Sequence, residues 1–506
     1  MTTTSSTVDD VLRRSAARTP EATALIFEDR EWTYAALDVA VTRAAVRLIS
    51  LGAAKGDRVA AYGKNSDAYL IGYLACARAG LVHVPINFAL TGQELAYLLE
   101  QSGSTLVLTD PALRSAVDQL RQETDVEQVL ELRGGPGSLL SDCQQDGPVP
   151  DLDVSVTDTD LVQLLYTSGT TSRPKGAMMT HRALVHEYLS CLVGLDQHTD
   201  DNPLHAMPLY HSAQMHVFLM PWLAVGARNT LVETPDPTDI LRRIETDRHG
   251  AFFAAPTLWT VLTQHPDLTE RDLSSLRKAY YGASIMPGPV LEKLRRTLPD
   301  LGLFNCFGQS EIGPLATVLR PEEHADRPAS AGRAALFVEL RVVDDKGEEV
   351  ARGEPGEVVY RSPQLCQGYW DNPEATEEAF RDGWFHSGDL VRQDTEGYIE
   401  VVDRIKDVIN TGGIQVASRE IEDALHTHPG VAEVAVIGVA DDRWIEAVTA
   451  FVVPVEGTDV ETLPEQLLVH ARARLAPFKV PKAVRVIDAL PRNASGKILK
   501  RRLRKH

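Results

Sequence analysis

The sequence is short of cysteine, of basic charge and of long apolar runs, and each shortage excludes a class of protein. Its five cysteines, Cys76, Cys143, Cys191, Cys306 and Cys366, are scattered, with no CxxC pair and no zinc-like spacing. Neither a disulfide framework nor a structural zinc site is indicated, and a reducing compartment is the simplest reading. Basic residues number 51 against 71 acidic ones, a formal charge of −20. Such a chain repels polyanions, so no nucleic-acid partner is expected. The most apolar stretch, 217–227, is interrupted by Pro221 and falls far short of the ~20 residues that span a bilayer. The first residues, MTTTSSTVDDVLRRS, place acids where a secretory leader needs basic residues and an apolar run. A cytoplasmic protein without a transmembrane segment is expected.

What is present is ordinary globular material, 43% hydrophobic and 24% charged over 506 residues. At roughly 150 residues per domain this predicts two or three domains with a large core. One stretch opposes the global charge: from Lys479 to His506 there are ten Lys or Arg and a single acid, Asp488.

From Ala22 onward, short β-branched runs alternate with helical patterns. ATALIFE and DRVAAY read as strands, and YAALDVAVTRAAVRLISLG and DAYLIGYLACARAG as helices closed by Gly52 and Gly80. That alternation implies parallel sheets covered by helices, with ligands beyond the carboxyl ends of the strands. Residues 134–160, rich in Gly, Pro, Asp and Ser, read as a linker or surface excursion. Near residue 400 the pattern changes. GYIEVVDRIKDVINTGG reads as strand, charged turn, short strand and glycine turn, and SREIEDALHTHPG as a capped helix. VAEVAVIGVAD and AVTAFVVPVEG then read as strands and ETLPEQLLVHARARLA as a helix. These last hundred or so residues form a small α+β unit, with its boundary at 404–406.

After an apolar strand at 161–165 comes Tyr166-Thr167-Ser168-Gly169-Thr170-Thr171-Ser172-Arg173-Pro174-Lys175-Gly176. Hydroxyls, approachable glycine backbone and a lysine are what a polyphosphate needs. The loop is not GxxxxGK[ST], because no glycine precedes Lys175 and Gly176 stands where a Ser or Thr would hold magnesium. A flexible surface loop is the bland alternative for a shorter run of such residues.

YTSGTTSRPKG resembles the phosphate loop, usually YTSGTTGxPKG, of the adenylate-forming superfamily of acyl-CoA synthetases, luciferases and peptide-synthetase adenylation domains. Four further elements follow in the family's order. Phe307-Gly308-Gln309-Ser310-Glu311 is similar to YGxTE, and Trp384-Phe385-His386-Ser387-Gly388-Asp389-Leu390 to WFxTGDL. Asp403-Arg404-Ile405-Lys406-Asp407 with Gly412-Gly413 and Glu420-Ile421-Glu422 resembles the hinge and glycine loop. Pro491-Arg492-Asn493-Ala494-Ser495-Gly496-Lys497 matches the C-terminal lysine motif. The fold implied is α/β: a large N-terminal body of parallel and mixed sheets covered by helices, residues 1–404, and a small mobile α+β lid, residues 405–506.

The resemblance implies a two-step acid–thiol ligase, most like a fatty-acyl or related acyl-CoA synthetase. A carboxylate attacks the α-phosphate of ATP, giving an acyl-adenylate and pyrophosphate, and the thiol of CoA then displaces AMP. Two anions must meet, so charge neutralisation and positioning dominate. Glu311 is the implied Mg²⁺ ligand, since one carboxylate is typical for magnesium on a nucleotide. Ser310 keeps the hydroxyl expected on the α-phosphate, and Lys497 is the implied adenylation lysine. His211 joins these three as a catalytic candidate. Thr167, Ser168, Gly169, Thr170, Thr171 and Lys175 are the implied phosphate contacts. Phe307 and Gly308 lie beside adenine, with Phe307 replacing the usual tyrosine, and Gly282 and Ala283 belong to the same binding set. Asp389 is expected on both ribose hydroxyls, with Arg404 reaching the same ribose. Lys406 falls at the hinge, and Gly412 and Gly413 line the pantetheine path, where glycine leaves room for a narrow thiol chain.

Beside the resemblance, a surface Glu at a helix start, a plain turn Asp and a solvated Lys are the bland readings of Glu311, Asp389 and Lys497. The acyl pocket is placed among 210–212, 252–257, 281–284 and 312–315. Small residues at Gly282, Ala283 and Gly313 leave room for a medium to large apolar acid. His211 lies near the position where amino-acid adenylating domains carry an aspartate, and none is present at 210–212. Ser172 stands where glycine is usual, and a Cβ there could crowd pyrophosphate and weaken the first half-reaction. An enzyme running mainly the second half-reaction, a ligase loading a separate carrier protein, and a luciferase-like oxygenase stay open. A non-catalytic nucleotide binder would be expected to lose Glu311 or Lys497, and both are present. A homodimer is one option for assembly.

Overall fold

The computed structural model describes residues 6–167, 173–284, 286–412, 414–441, 443–492 and 498–504. The chain divides into two compact units. The first comprises the chain up to Thr167, Pro174–Glu339 and Arg361–Phe385, and the second 340–360 and the chain from His386 onward.

Two sheets build the first unit. Among the described residues, one runs in the order Gln128–Glu131, Leu106–Thr109, Arg58–Tyr62, Val82–Ile86, Leu161–Thr167 and Lys175–Thr180. Its strands are parallel up to Leu161–Thr167, which pairs antiparallel with Lys175–Thr180. The other places Gly302–Phe307, Lys278–Gly282, Ala251–Phe253, Pro203–His205, Asn229–Leu231 and Thr23–Phe27 side by side, all parallel, with antiparallel strands at its edges. Thr167, Gly282 and Phe307 each close a strand at its carboxyl end, where α/β sheets present their ligand loops.

The local grammar is regular. Thr33 caps the Tyr34–Ser50 helix by accepting from Ala36 N. Ser66 caps Asp67–Ala79 in the same way, and Gly80 ends that helix at φ 69°, the left-handed conformation that only glycine takes freely. Every residue of Asp67–Ala79 is buried, so this helix is an internal strut rather than a surface one. The 134–160 stretch is largely exposed, as a surface excursion is, but it also contains a helix, Leu139–Cys143, capped by Ser138, with Leu139, Leu140 and Cys143 buried. Three core residues in a run of turn-formers are too few for periodicity to register.

In the second unit, the segment 389–393 pairs antiparallel with Ile399–Arg404. A further sheet runs Ile414–Val416, Ile409–Thr411, Ile445–Pro454 and Val431–Asp441, with Ala483–Val486 parallel to Ile445–Pro454. The helices Ser418–His426 and Leu463–Arg472 bury Ile421, Leu425, Leu463 and Leu467 in the unit's own core. The Ser418–His426 helix is capped from a distance: Asp403 Oδ2 accepts from Ser418 N at 2.6 Å and from Ser418 Oγ at 2.8 Å. No helix among the described residues is long and apolar enough to cross a membrane.

Candidate active site

In the first unit the phosphate-loop strand and the Glu311 turn are brought together. Glu311 sits on the short turn Ser310–Ile312 and is 6% exposed. Its Oε1 accepts from Thr167 Oγ at 3.0 Å and from the Tyr369 hydroxyl at 3.0 Å. Lys175 Nζ lies 5.2 Å from the centroid of the same Tyr369 ring, within cation–π range. Ser310 Oγ and Ser212 Oγ are 2.9 Å apart. One hydroxyl, one carboxylate, one phenol and one ammonium thus converge from four separate segments.

Tyr369 was not legible as a site residue. It is delivered by the 366–370 segment, where Cys366 N donates to Glu311 O at 2.8 Å and Trp370 N to Gly176 O at 2.8 Å. Gln367 N and Met178 N exchange bonds with Met178 O and Gly368 O. The Lys175–Thr180 strand therefore gains a partner along this segment, and the register fixes Tyr369 under Glu311. A solitary tyrosine before a tryptophan carries no such signal in sequence.

Two glycines of the set are required by packing rather than by ligand room. A Cβ on Gly308, at φ 155°, would lie 2.0 Å from Pro314 O, and one on Gly282 would lie 2.2 Å from Cys306 O. Ala283 is exposed with φ 65°. Phe307 is half-buried at the end of its strand. His211 precedes the π-helical turn Ala213–Leu219, and its Nδ1 accepts from Ala213 N at 3.3 Å. Tyr210 packs edge-on against Phe88, and burial pushes its hydroxyl up to about 12.

In the second unit, Asp389 and Arg404 are direct cross-strand partners. Arg404 Nε lies 2.8 Å from Asp389 Oδ1, and Arg404 Nη1 donates to Ser387 O at 2.9 Å. Asp389 is 5% exposed, so a guanidinium anchors its buried carboxylate. The preceding turn is tied down by Glu357, which takes Gly388 N at 2.8 Å on one oxygen and His386 Nδ1 at 2.7 Å on the other. Lys406 is exposed on the turn Ile405–Asp407. Gly412 has φ 65°, donates to Trp444 O at 2.6 Å, and would place a Cβ 3.5 Å from the Trp444 ring. Arg443 and Lys482 lie 4.8 Å and 5.0 Å from the centroid of that ring. Ser168, Gly169, Thr170, Thr171, Ser172, Gly413 and Lys497 lie outside the described residues.

The basic tail is less available than its composition implies. Lys479 pairs with Glu420, Arg492 with Glu433, Lys500 with Glu422 and Arg504 with Asp407. Glu422 is half-buried, and desolvation raises its carboxyl although Lys500 opposes this. These acids lie far upstream in sequence, which is why the tail alone reads as uncompensated.

Among the described residues no group of three or more His, Cys, Asp or Glu could hold a metal. Magnesium on a nucleotide needs only one or two protein carboxylates, its other ligands being phosphate and water oxygens. Glu311, oriented through one oxygen by two hydroxyls, fits that requirement. A separate cleft of about 460 Å³ is lined by Arg30, Lys64, Asp110, Arg133 and Glu233 and by none of the motif residues. Its charges pair among themselves, Arg133 with Asp110 and Glu233, and Lys64 with Glu233.

Comparison with known proteins agrees with this layout. The family model for AMP-binding enzymes matches residues 12–370, and that for the AMP-binding enzyme C-terminal domain matches 420–497. A feruloyl-CoA synthase of Amycolatopsis sp is 39% identical over 97% of both chains. ATP-bound MatB from Rhodopseudomonas palustris superposes with a TM-score of 0.89 at 32% identity, covering 98% of each chain. The anthranilate CoA ligase AuaEII with anthranoyl-AMP gives 0.92 at 26% identity, covering 100% of this chain and 98% of that one. Two sheets with motif residues at strand carboxyl ends, and family matches across both parts of the sequence, lead to one assignment: the chain belongs to the family of AMP-binding enzymes.

Proposed function

We propose that the protein is an acyl-CoA ligase that converts an apolar carboxylic acid to its acyl-adenylate with ATP and passes the acyl group to the thiol of CoA. The observation that carries this reading is the cluster of Thr167, Lys175, Glu311 and Tyr369, in which Tyr369 donates to a buried carboxylate and carries a lysine over its ring, beside the strand ends that flank the phosphate-loop motif. Polyphosphate chemistry needs that pairing of a metal-seeking carboxylate and a cation. The feruloyl-CoA synthase and the anthranilate CoA ligase are named for aromatic acids, so aromatic acids head the candidates.

The roles follow from chemistry at each position. Glu311 would hold Mg²⁺, which when bound neutralises phosphate charge. Thr167 and Lys175, with Ser168 to Thr171, would grip the phosphates, and Ser310 the α-phosphate. Phe307 offers a ring face to adenine. Asp389, held rigid by Arg404, would accept from the ribose hydroxyls. Lys497 would bridge carboxylate and α-phosphate in the first step. With the lid starting at 404–406 and Lys406 at the hinge, Gly412 and Gly413 would take that place for thioester formation, a gating motion. Trp444 flanked by Arg443 and Lys482 suits the flat, anionic nucleotide of CoA. The acyl pocket is assigned to 210–212, 252–257, 281–284 and 312–315.

The test is acid-dependent AMP release across a panel of aromatic and aliphatic acids with ATP, Mg²⁺ and CoA. At least one acid should support stoichiometric AMP and acyl-CoA. Because Ser172 replaces the usual glycine, a second reading is that only the thioester step runs well. Supplying a synthetic acyl-adenylate and CoA separates the two, since capture without acid-dependent AMP release favours the second.

A further inference from the structure

Behind the Glu311 turn lies a fully buried polar cluster that the adenylation chemistry does not use. Thr180 caps the helix His181–Gly194 by accepting from Ala183 N, and the helix turns Glu187, Ser190 and Cys191 inward, spaced three and four residues apart so that they share a face. Glu187 is 0% exposed, as is Gln364. Three donors converge on the Glu187 carboxyl. Leu315 N reaches Oε1 at 2.9 Å, the Cys191 thiol reaches Oε1 at 3.3 Å, and Gln364 Nε2 reaches Oε2 at 2.5 Å. The Gln364 amide also contacts Ile312 O and Leu315 O, each at 3.1 Å, while its Oε1 accepts from Ser190 Oγ.

We infer that Glu187 is a positioning residue for the acid-binding wall, holding the Ile312–Leu315 loop through its own carboxyl and the Gln364 amide. The inference rests on the proposed function, which assigns that loop to the acyl pocket. A buried carboxyl costs several kcal/mol unless its oxygens are satisfied, so an inward-facing helix position with no polar task is filled by an aliphatic residue. Here the task is visible: Leu315 N, in a loop with no strand partner for it, would otherwise be an orphaned buried donor. The side chain also fills the space beside Gly313. That glycine has φ 108°, and a Cβ on it would fall 2.7 Å from Glu187 Oε2 and 2.9 Å from Cδ. Glu187 therefore fixes both the height of the loop and the absence of a side chain at 313.

The neighbouring metal-seeking carboxylate does not depend on this clamp. Glu311 is held by Thr167, by Tyr369 and through its carbonyl by Cys366 N. Loosening Glu187 should therefore move the wall that meets the acid and leave the nucleotide contacts in place. Every donor at Glu187 needs an acceptor, so Glu187→Gln is the informative change. It keeps volume and places an amide N–H₂ against either Leu315 N–H or the Gln364 amide.

The experiment is steady-state kinetics of the wild type, Glu187→Gln and Ser190→Ala with the acid that the wild type turns over best, alongside thermal unfolding to verify folding. Glu187→Gln should raise KM for the acid about tenfold and leave KM for ATP within about twofold, as expected when hydrogen bonds to a buried, satisfied group are lost on one wall only. Ser190→Ala frees one partner of Gln364 and should shift acid KM the same way by about two- to threefold; it is the variant to read where Glu187→Gln does not fold. Unchanged acid KM in a folded variant, or parallel rises for acid and ATP, would overturn the inference. A wild type that releases AMP with no acid overturns the function itself, and the inference with it.

Discussion

Thr167 and Glu311 lie 144 residues apart in sequence and share a 3.0 Å hydrogen bond. Glu311 was legible because it stands in a motif. Tyr369 was not, because its place depends on how 366–370 pairs with the Lys175–Thr180 strand. Tyr369→Phe leaves the ring under Lys175 but removes one of the two donors on Glu311 Oε1, and kcat/KM for ATP should fall about tenfold, the worth of a hydrogen bond to a charged group. Lys497→Ala should lower acyl-adenylate formation by about a hundredfold or more and spare thioester formation from supplied acyl-adenylate. Loss of both in a folded variant would contradict its role. Glu187 adds a pH signature. Burial pushes its carboxyl from an ordinary 4.5 to about 8, with Tyr188, Cys191 and Cys306 as the titratable groups facing it. The folded state then binds more protons than the unfolded one between these values, so this carboxyl's share of stability is full below pH 4.5 and is lost as pH rises towards about 8. Glu187→Gln should flatten that part of the Tm-against-pH curve.

Elements with a cap, a period and a stop were legible from the chain alone. The strands Thr23–Phe27 and Arg58–Tyr62 and the helices Tyr34–Ser50 and Asp67–Ala79 fall where apolar spacing and Gly80 place them. In the second unit, strand, turn, strand and helix from Ile399 to His426 follow the expected order. What escaped was non-local. Leu139–Cys143 is too short to show a period. The cap of Ser418–His426 is Asp403, 15 residues from Ser418, acting from the end of the Ile399–Arg404 strand. Asp403→Ala should leave Ser418 N without its acceptor and Ser418 Oγ with Lys500 Nζ as its partner, and destabilise this region by about 1–2 kcal/mol, read as a lower denaturant midpoint. An unchanged midpoint would mean that the helix start is satisfied otherwise.

Across the whole molecule, charge is organised differently from its linear distribution. The net −20 still opposes nucleic acid as a partner, but the basic tail is no free arm. Lys479, Arg492, Lys500 and Arg504 are each paired with an acid of the second unit. Arg443 and Lys482 lie 4.8 Å and 5.0 Å from the centroid of the half-buried Trp444 ring, next to Gly412. On the proposed CoA role of Trp444, Lys482→Glu should raise KM for CoA about tenfold with little change for ATP, because the reversed charge would meet the anionic nucleotide of CoA. The acid remains the feature least written in the sequence, since a pocket is a shape contributed by four distant segments rather than a motif. The most direct test of the account is acid- and CoA-dependent AMP release measured over a panel of aromatic and aliphatic acids. At least one apolar acid is expected to yield AMP, pyrophosphate and acyl-CoA in equal amounts; pyrophosphate and AMP from none, with ATP bound and the protein folded, would contradict the two-step ligase.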